Sequence, residues 1–209
     1  EWIIMYSNID TNILDKAGRF ALDDIALISY TSADGSNQNP KSISIKTLVL
    51  EMNIYESLEG PGIYGNIIVA DGQAVLTHLP LTGYEQIEFK LATPGCSRGY
   101  DFSTRTGHPM HIYKISDRTP TTPNSQIYIL HFCSKEMLNN EMVRVNKTLT
   151  GSVDQMVIDI FRNDLESKKN FIVEETKGLH KFVMPRMKPF KAISKLSEDA
   201  EPLKYASSG

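Results

Sequence analysis

The sequence predicts a mainly β fold with flanking helices (β + α), built as an antiparallel barrel or sandwich followed by a small helix–strand–helix segment. Three observations lead to this prediction. Residues 43–91 contain three runs in which apolar and polar residues alternate with the period of a β-strand. Turn-forming residues such as Asp71-Gly72 separate these runs. Beyond residue 134 the apolar period changes to the three and four residues of an amphipathic helix.

The predicted strands follow one another at regular intervals, as in antiparallel barrels and sandwiches. They cover residues 20–30, 42–55, 63–71, 84–92, 109–117 and 126–134. Between them, residues 73–80 predict a short helical turn, and residues 93–107 predict a long loop rich in Gly, Ser and Thr. Pro120 and Pro123 predict an irregular, exposed connection between the last two strands.

The region after residue 134 is predicted to contain helices and short strands. Ser152 and Gln155 have the spacing of a capping box at the start of a helix. The expected elements are a helical turn at 135–141, strands at 142–149 and 171–175, and helices at 152–166 and 189–200.

Three parts of the chain follow from this pattern. Residues 1–18 have no steady period and are interpreted as an N-terminal arm of the kind that orders against a partner. Residues 19–150 form the β-domain. Residues 151–209 form the helix–strand–helix segment, which we interpret as the start of a further domain.

Charge and cysteine content limit the classes of protein to consider. The 209 residues carry a formal net charge of −3, whereas general nucleic-acid binders usually have a basic face. No apolar run approaches the roughly 20 residues of a membrane span, so no membrane-spanning segment is expected. Cys133 lies in an apolar strand pattern and is expected to be a reduced core residue, while Cys96 lies in a Gly-rich turn. Two free thiols are therefore favoured over a disulfide.

Motifs for catalysis or for metal and cofactor binding are not evident in the sequence. His108 and His111 stand three apart in a predicted strand and so point to opposite faces, which does not suit a shared metal site. Asp71, Glu85 and Glu88 could be imagined as the acid and base of a glycosidase. The Asp-Gly turn explains Asp71 better, and the polar face of a strand explains Glu88 better. We therefore expect no enzymatic activity, no cofactor and no metal.

Aromatic residues in the long loop are the candidates for contacts with a ligand or partner. Tyr100 and Phe102 are expected to be exposed there, and exposed loop aromatics mark protein interfaces more often than sugar platforms. A carbohydrate-binding module stays as a less favoured alternative. It predicts sugar binding that is lost when Tyr100 and Phe102 are changed.

The sequence also resembles a known family. Four pieces carry the resemblance, in this order: NIYES at 53–57, GNIIVAD at 65–71, LPLTGYE at 79–85 and QIEFKL at 86–91. Their order and spacing are similar to the first tube-type β-domain of the baseplate hub proteins of contractile-tailed (T4-like) bacteriophages. The later runs IYKISDR, YILHFCSKEMLNNEMVRVNKTLTGSVDQMV and PFKAISKLSEDA extend the similarity to roughly residues 18–200.

The resemblance implies a structural protein of the virion, located in the tail baseplate after synthesis in the host cytoplasm. Hub proteins of this family form a homotrimeric ring that joins the tail tube to the central spike, with baseplate wedge proteins as further partners. Genome DNA passes through the lumen during ejection without stable binding. Members of the family are usually longer and carry a second tube-type barrel, so this sequence is either part of a longer hub or a shorter relative.

The sequence leaves two other tail functions besides the hub. A tail-tube initiator or adaptor of a contractile injection machine, with the same fold, is the alternative. A tail-associated cell-wall hydrolase is disfavoured because no acid–base pair emerges. Within the hub interpretation, Glu85 and Glu88 are the candidates for an acidic lumen wall that repels phosphate. Replacing both by Lys should then slow or block genome ejection.

Overall fold

The computed structural model describes residues 21–22, 24–30, 40–57, 60–79, 83, 85–92, 99–123 and 125–203. The predicted N-terminal arm and Cys96 lie outside these residues. The chain divides into two compact units, the first ending at Ser134 and the second beginning at Lys135. The sequence pattern had placed the division at residue 150. The earlier division follows from packing, because Val145 and Leu149 belong to the core of the second unit.

In the described part of the first unit, ten strands form two antiparallel sheets. The strands are β1 (Ala21–Leu22), β2 (Ala26–Ser29), β3 (Lys41–Ser44), β4 (Val49–Tyr55), β5 (Tyr64–Asp71), β6 (Gln86–Glu88), β7 (Lys90–Ala92), β8 (Tyr100–Asp101), β9 (Met110–Thr122) and β10 (Ser125–Cys133). The main sheet has seven strands in the order β3-β2-β6-β9-β10-β5-β4, and a small sheet has the order β1-β7-β8. The prediction of a mainly β, antiparallel fold with flanking helices is confirmed.

The main sheet is curled but open, so the closed barrel among the predicted alternatives is wrong. The predicted strand 42–55 is interrupted by a 3-10 turn at Lys46–Leu48, which leaves β3 and β4 at opposite edges of the sheet. The chain from Ser44 to Val49 spans at most about 18 Å. A flat sheet of seven strands would separate its edges by roughly 29 Å. The sheet must therefore curl strongly, although β3 and β4 do not pair with each other among the described residues.

The predicted strand 84–92 is also divided. β6 pairs with β2 and β9 in the main sheet, whereas β7 pairs with β1 and β8 in the small one. Between them Phe89 is buried, with ring centroids 5.0 Å from Phe102 and 5.6 Å from Phe132. The chain changes sheets at Phe89 because both sheets pack on the same aromatic cluster.

The concave side of the main sheet holds the core of the first unit. Its fully buried side chains include Ile67, Val69, Leu130 and Phe132 of β5 and β10. The predicted helical turn is confirmed as α1 (Val75–His78), and it adds the buried Val75 to this core.

Strands β9 and β10 form a hairpin that is longer than predicted. β9 continues to Thr122, with Pro120 opposite Gln126, instead of ending at residue 117. Three register shifts interrupt the pairing, and the last residues of β9 are exposed. The exposed, irregular character predicted for this connection is therefore found, but inside a strand.

The thiol of Cys133 at the end of β10 is free and buried. Burial raises the pKa of Cys133 to about 11. The prediction that Cys133 is a reduced core residue is confirmed.

The described part of the second unit contains four helical segments and two strands. These are α2 (Lys135–Met142), β11 (Thr148–Gly151), α3 (Val153–Asp159), its continuation as a π-helical turn (Ile160–Asp164), β12 (His180–Val183) and α4 (Pro189–Glu198). β11 pairs with β12, and their inner faces pack with α3 and α4 around a second core. No helix in the described ranges is long and apolar enough to cross a bilayer.

Three local predictions for the second unit are wrong. The strand predicted at 142–149 is reduced to β11, because Met142 still belongs to α2 and the first strand residue is Thr148. Residues 171–175 form no strand, and Ile172 among them is fully exposed; the strand of this region is β12. Ser152 occupies the N-cap position of α3, but its side chain makes no cap hydrogen bond. Instead the N–H of Asp154 donates to Thr176 Oγ1 at 3.1 Å.

A buried charge links α2 to the chain that follows α3. Ser167 Oγ donates to one carboxylate oxygen of Glu136 at 2.6 Å, and Lys169 Nζ contacts the other oxygen at 2.8 Å. Burial would raise the pKa of Glu136, but the bonds from Lys169 and Ser167 outweigh it and hold the pKa below its ordinary value. The carboxylate therefore stays charged and paired inside the unit.

Candidate functional site

The two predicted lumen residues do not share a face. Glu85 has only 1% of its surface exposed and accepts a hydrogen bond from the N–H of Gly83 at 2.8 Å. Glu88 is half-buried and accepts bonds from the N–H and Oγ1 of Thr104 at 3.0 and 2.8 Å. Residues three apart in a strand point to opposite sides. Glu85 therefore cannot line a lumen, and both carboxylates order the local chain.

The two predicted loop contacts differ in exposure. Phe102 is 6% exposed and packs on Phe89 in the core, so the prediction that it is an exposed contact residue is wrong. Tyr100 is partly exposed, stacks on Phe102 with centroids 5.6 Å apart, and donates its hydroxyl to Glu56. That bond, with burial, raises the pKa of Tyr100. Phe102 is thus a core residue covered by Tyr100, and these two rings form no exposed platform for a sugar.

The main sheet presents a different set of aromatic residues on its outer face. Tyr55 and Tyr64 lie opposite each other on β4 and β5, each 44% exposed, with rings stacked 5.2 Å apart. Tyr113, 49% exposed, lies in a bulge of β9 with its ring 6.0 Å from that of His131 on β10. We call Tyr55, Tyr64, Tyr113 and His131 the outer aromatic face.

The strand register explains how this face forms. Along β5 the buried Ile67 and Val69 alternate with the outward Tyr64, Asn66 and Ile68. In register on β10, His131 lies opposite Asn66 and Ile129 opposite Ile68, while Cys133, opposite Tyr64, is covered and buried. Half-exposed tyrosines offer apolar ring area together with a hydroxyl that can hydrogen-bond, which suits contact with another protein.

Hydrogen bonds fix the polar side chains beside the outer aromatic face. Ser116 Oγ lies 2.8 Å from His131 Nε2 and donates to Asp117 at 2.9 Å. Asn53 Nδ2 bridges the carboxylate of Glu51 at 2.7 Å and the amide oxygen of Asn66 at 3.1 Å. These bonds hold side chains of four neighbouring strands in fixed positions.

The outer aromatic face continues to an open edge of the sheet. Among the described residues β4 pairs only with β5, so its second edge carries backbone groups that no strand occupies. Leu50, Glu51 and Tyr55 are exposed along β4. An unpaired edge strand readily accepts a strand from another chain.

The sequence carries a signal for part of this site. Tyr55 and Tyr64 flank the turn between two alternating runs, and a hairpin register centred on that turn places them opposite each other. Tyr113 gave no such signal, because its position depends on a bulge. In the described ranges, no group of three His, Cys, Asp or Glu side chains could hold a metal ion.

The chain is similar in fold to solved structures that include a prophage tail protein. No protein-family model and no curated protein matches the sequence. The crystal structure of the 43 kDa tail protein of prophage MuSo2 from Shewanella oneidensis aligns with a TM-score of 0.49 and 13% sequence identity. The alignment covers 84% of this chain and 48% of that protein. The chain thus spans about half the length of the protein it matches.

Proposed function

We propose that this chain is a structural subunit of a bacteriophage tail that assembles with copies of itself into a ring at the baseplate hub. The observation that carries the proposal is the outer aromatic face beside the open edge of β4. The sequence resemblance to hub proteins supports the location in the tail baseplate, and the outer aromatic face supports assembly through direct contact.

The aromatic residues support assembly through their exposed area. Tyr55, Tyr64 and Tyr113 expose ring surface across strands whose backbone is already fixed by pairing. Ordering this surface costs little conformational entropy, because a tyrosine side chain has few rotatable bonds. Burying these rings against a neighbouring copy would therefore favour association with little loss to conformational entropy.

The two edges of the sheet support a head-to-tail contact. β3 and β4 are separated by six antiparallel pairings, so they run in the same direction. They are also different surfaces, since Lys41 is exposed on β3 and Glu51 on β4. A contact between β4 of one copy and β3 of the next is heterologous, and a heterologous contact closes into a ring when its rotation allows.

A charge exchange tests this contact. Lys41→Glu places like charges across the proposed β3–β4 contact and should shift the full chain toward monomer in sedimentation velocity. Adding Glu51→Lys restores opposite charges and should recover the assembly. Recovery by the second change separates a direct contact from a general loss of solubility.

An aromatic substitution tests the same proposal independently. Tyr55→Ala with Tyr64→Ala should weaken self-association at least about tenfold, because tyrosines dominate interfaces of this kind. Ile158→Ala, which removes a similarly exposed apolar side chain on α3 of the second unit, is the control. Equal assembly of all three proteins would show that this face is not an interface.

A further inference from the structure

Strand β12 of the second unit has a free edge. Met184 N donates to Lys147 O at 3.0 Å, immediately beyond the four paired residues of β11 and β12. Hydrogen-bonded positions recur at every second residue of an antiparallel pair. His180 and Phe182 therefore bond to β11, while the backbone groups of Lys181 and Val183 point away from it. In the described part of the chain those groups make no backbone hydrogen bond beyond the strand.

A groove borders the same strand. Its volume is about 510 Å³, and it is lined by residues 180–182 of β12 and residues 198–201 at the C-terminal end of α4. No residue of β11 lines it. The groove thus runs beside β12 and provides room for an additional strand.

The two sides of β12 present different chemistry to such a strand. Leu179 and Val183 share the outward face and are 87% and 67% exposed, which is unusual for large apolar side chains so close together. Across the groove stand the exposed carboxylates of Glu198, Asp199 and Glu201, which form no ion pair with other described residues. They lie at the end of α4, where the helix dipole is already negative, and the lining has three carboxylates against one lysine, Lys181.

We propose that the free edge of β12 binds an extended segment of a partner protein as an added strand, and that this segment alternates apolar with basic residues. Side chains of an added strand alternate between the two faces. One set meets Leu179 and Val183, and the other set reaches the carboxylates of the groove. This partner site lies in the second unit and does not depend on the proposed ring.

A peptide titration of the full chain tests the proposal. The probe is an acetylated, amidated hexapeptide of alternating Lys and Val, and the matched control replaces each Lys by Glu. In spectra of nitrogen-15-labelled protein, the basic peptide should shift the amide signals of Lys181 and Val183 more than those of His180 and Phe182. The acidic peptide should shift none of them.

Two variants test whether the strand edge and the carboxylates of the groove contribute to peptide binding. Val183→Pro removes an outward N–H, and proline is tolerated at an edge strand whose N–H faces away from its neighbour. It should weaken peptide binding by about five- to tenfold. If Val183→Pro disturbs the fold, the triple change Glu198→Gln, Asp199→Asn and Glu201→Gln gives the second measurement, with an expected loss of about fivefold and a weaker salt dependence.

The control for the triple change is Glu174→Gln with Glu175→Gln, which removes exposed carboxylates outside the groove and should leave binding unchanged. Three results would overturn the proposal. They are equal binding of the acidic and basic peptides, absence of shifts at Lys181 and Val183, and a dimer without peptide that Val183→Pro dissociates. The last result would assign the edge to a second copy of the chain.

Discussion

At the scale of single residues, the position of a carboxylate along a strand decides its role. Glu85 shares its face with the buried Ile87, whereas Glu88 lies on the opposite side. The acidic lumen wall expected within the hub interpretation needs Glu85 and Glu88 on one exposed face, but the two residues are three apart and Glu85 is buried. The same argument applied to a hairpin register places Tyr55 opposite Tyr64, which gives one pair of the outer aromatic face.

The buried Glu85 predicts a stability effect. Glu85→Ala removes the acceptor for Gly83 N–H and leaves space in the core, so the free energy of unfolding should fall by about 1–3 kcal/mol in urea titrations. Glu174→Ala, at an exposed position, should change it by less than about 0.5 kcal/mol. An equal effect of the two substitutions would contradict the structural role of Glu85.

The buried Glu136 predicts a pH effect. Its pKa is lowered in the folded protein, so the pairing with Lys169 stabilises the fold above the ordinary carboxyl value of 4.5. This contribution is lost as the pH falls through the lowered folded value. Urea unfolding between pH 7 and pH 3 should show the loss in the natural protein and a smaller loss in Glu136→Gln. At pH 7 the variant should be about 1–3 kcal/mol less stable, since Lys169 loses its charged partner. If Glu136→Gln loses as much stability in acid as the natural protein, the Glu136–Lys169 pair is not the cause of that loss.

At the scale of elements, alternation predicted strands where one face of the strand meets a core. β5, β10 and the short helix α1 are found where the sequence places them. The breaks within 42–55 and 84–92 were not predictable, because they depend on distant pairing. β3 and β4 pair at opposite edges of one sheet, whereas β6 and β7 join different sheets. The strand predicted at residues 171–175 is wrong for a similar reason. Their apolar residues suit a strand, but β11 pairs with residues 180–183 instead, and such distant pairing leaves no local signal.

The close packing around Gly65 on β5 predicts that this position requires glycine. A Cβ at Gly65 would lie 2.2 Å from the backbone oxygen of Asn53 and 2.4 Å from the ring of Phe132. Gly65→Ala should therefore destabilise the protein by about 1–3 kcal/mol or more, because neither the paired strand nor the core ring can yield easily. Gly72→Ala is the matched control, since no atom lies within 4 Å of its Cβ position. Thermal or urea unfolding compares the two, and equal stability would mean that β4 and Phe132 adjust freely.

At the scale of the whole molecule, the open sheet and the exposed faces favour assembly as the function. The first unit curls its sheet around a core but leaves the edges β3 and β4 unpaired within the described residues. A protein with such edges must have them covered or protected to avoid uncontrolled association. A closed ring would cover both edges in a defined way, and this is the physical reason for proposing a ring.

The mass and axial image of the full chain test this account most directly. Native mass spectrometry combined with electron microscopy should show a closed trimer with a central opening of tube-like width. A stable monomer at concentrations well above those used for imaging would contradict ring assembly by this chain.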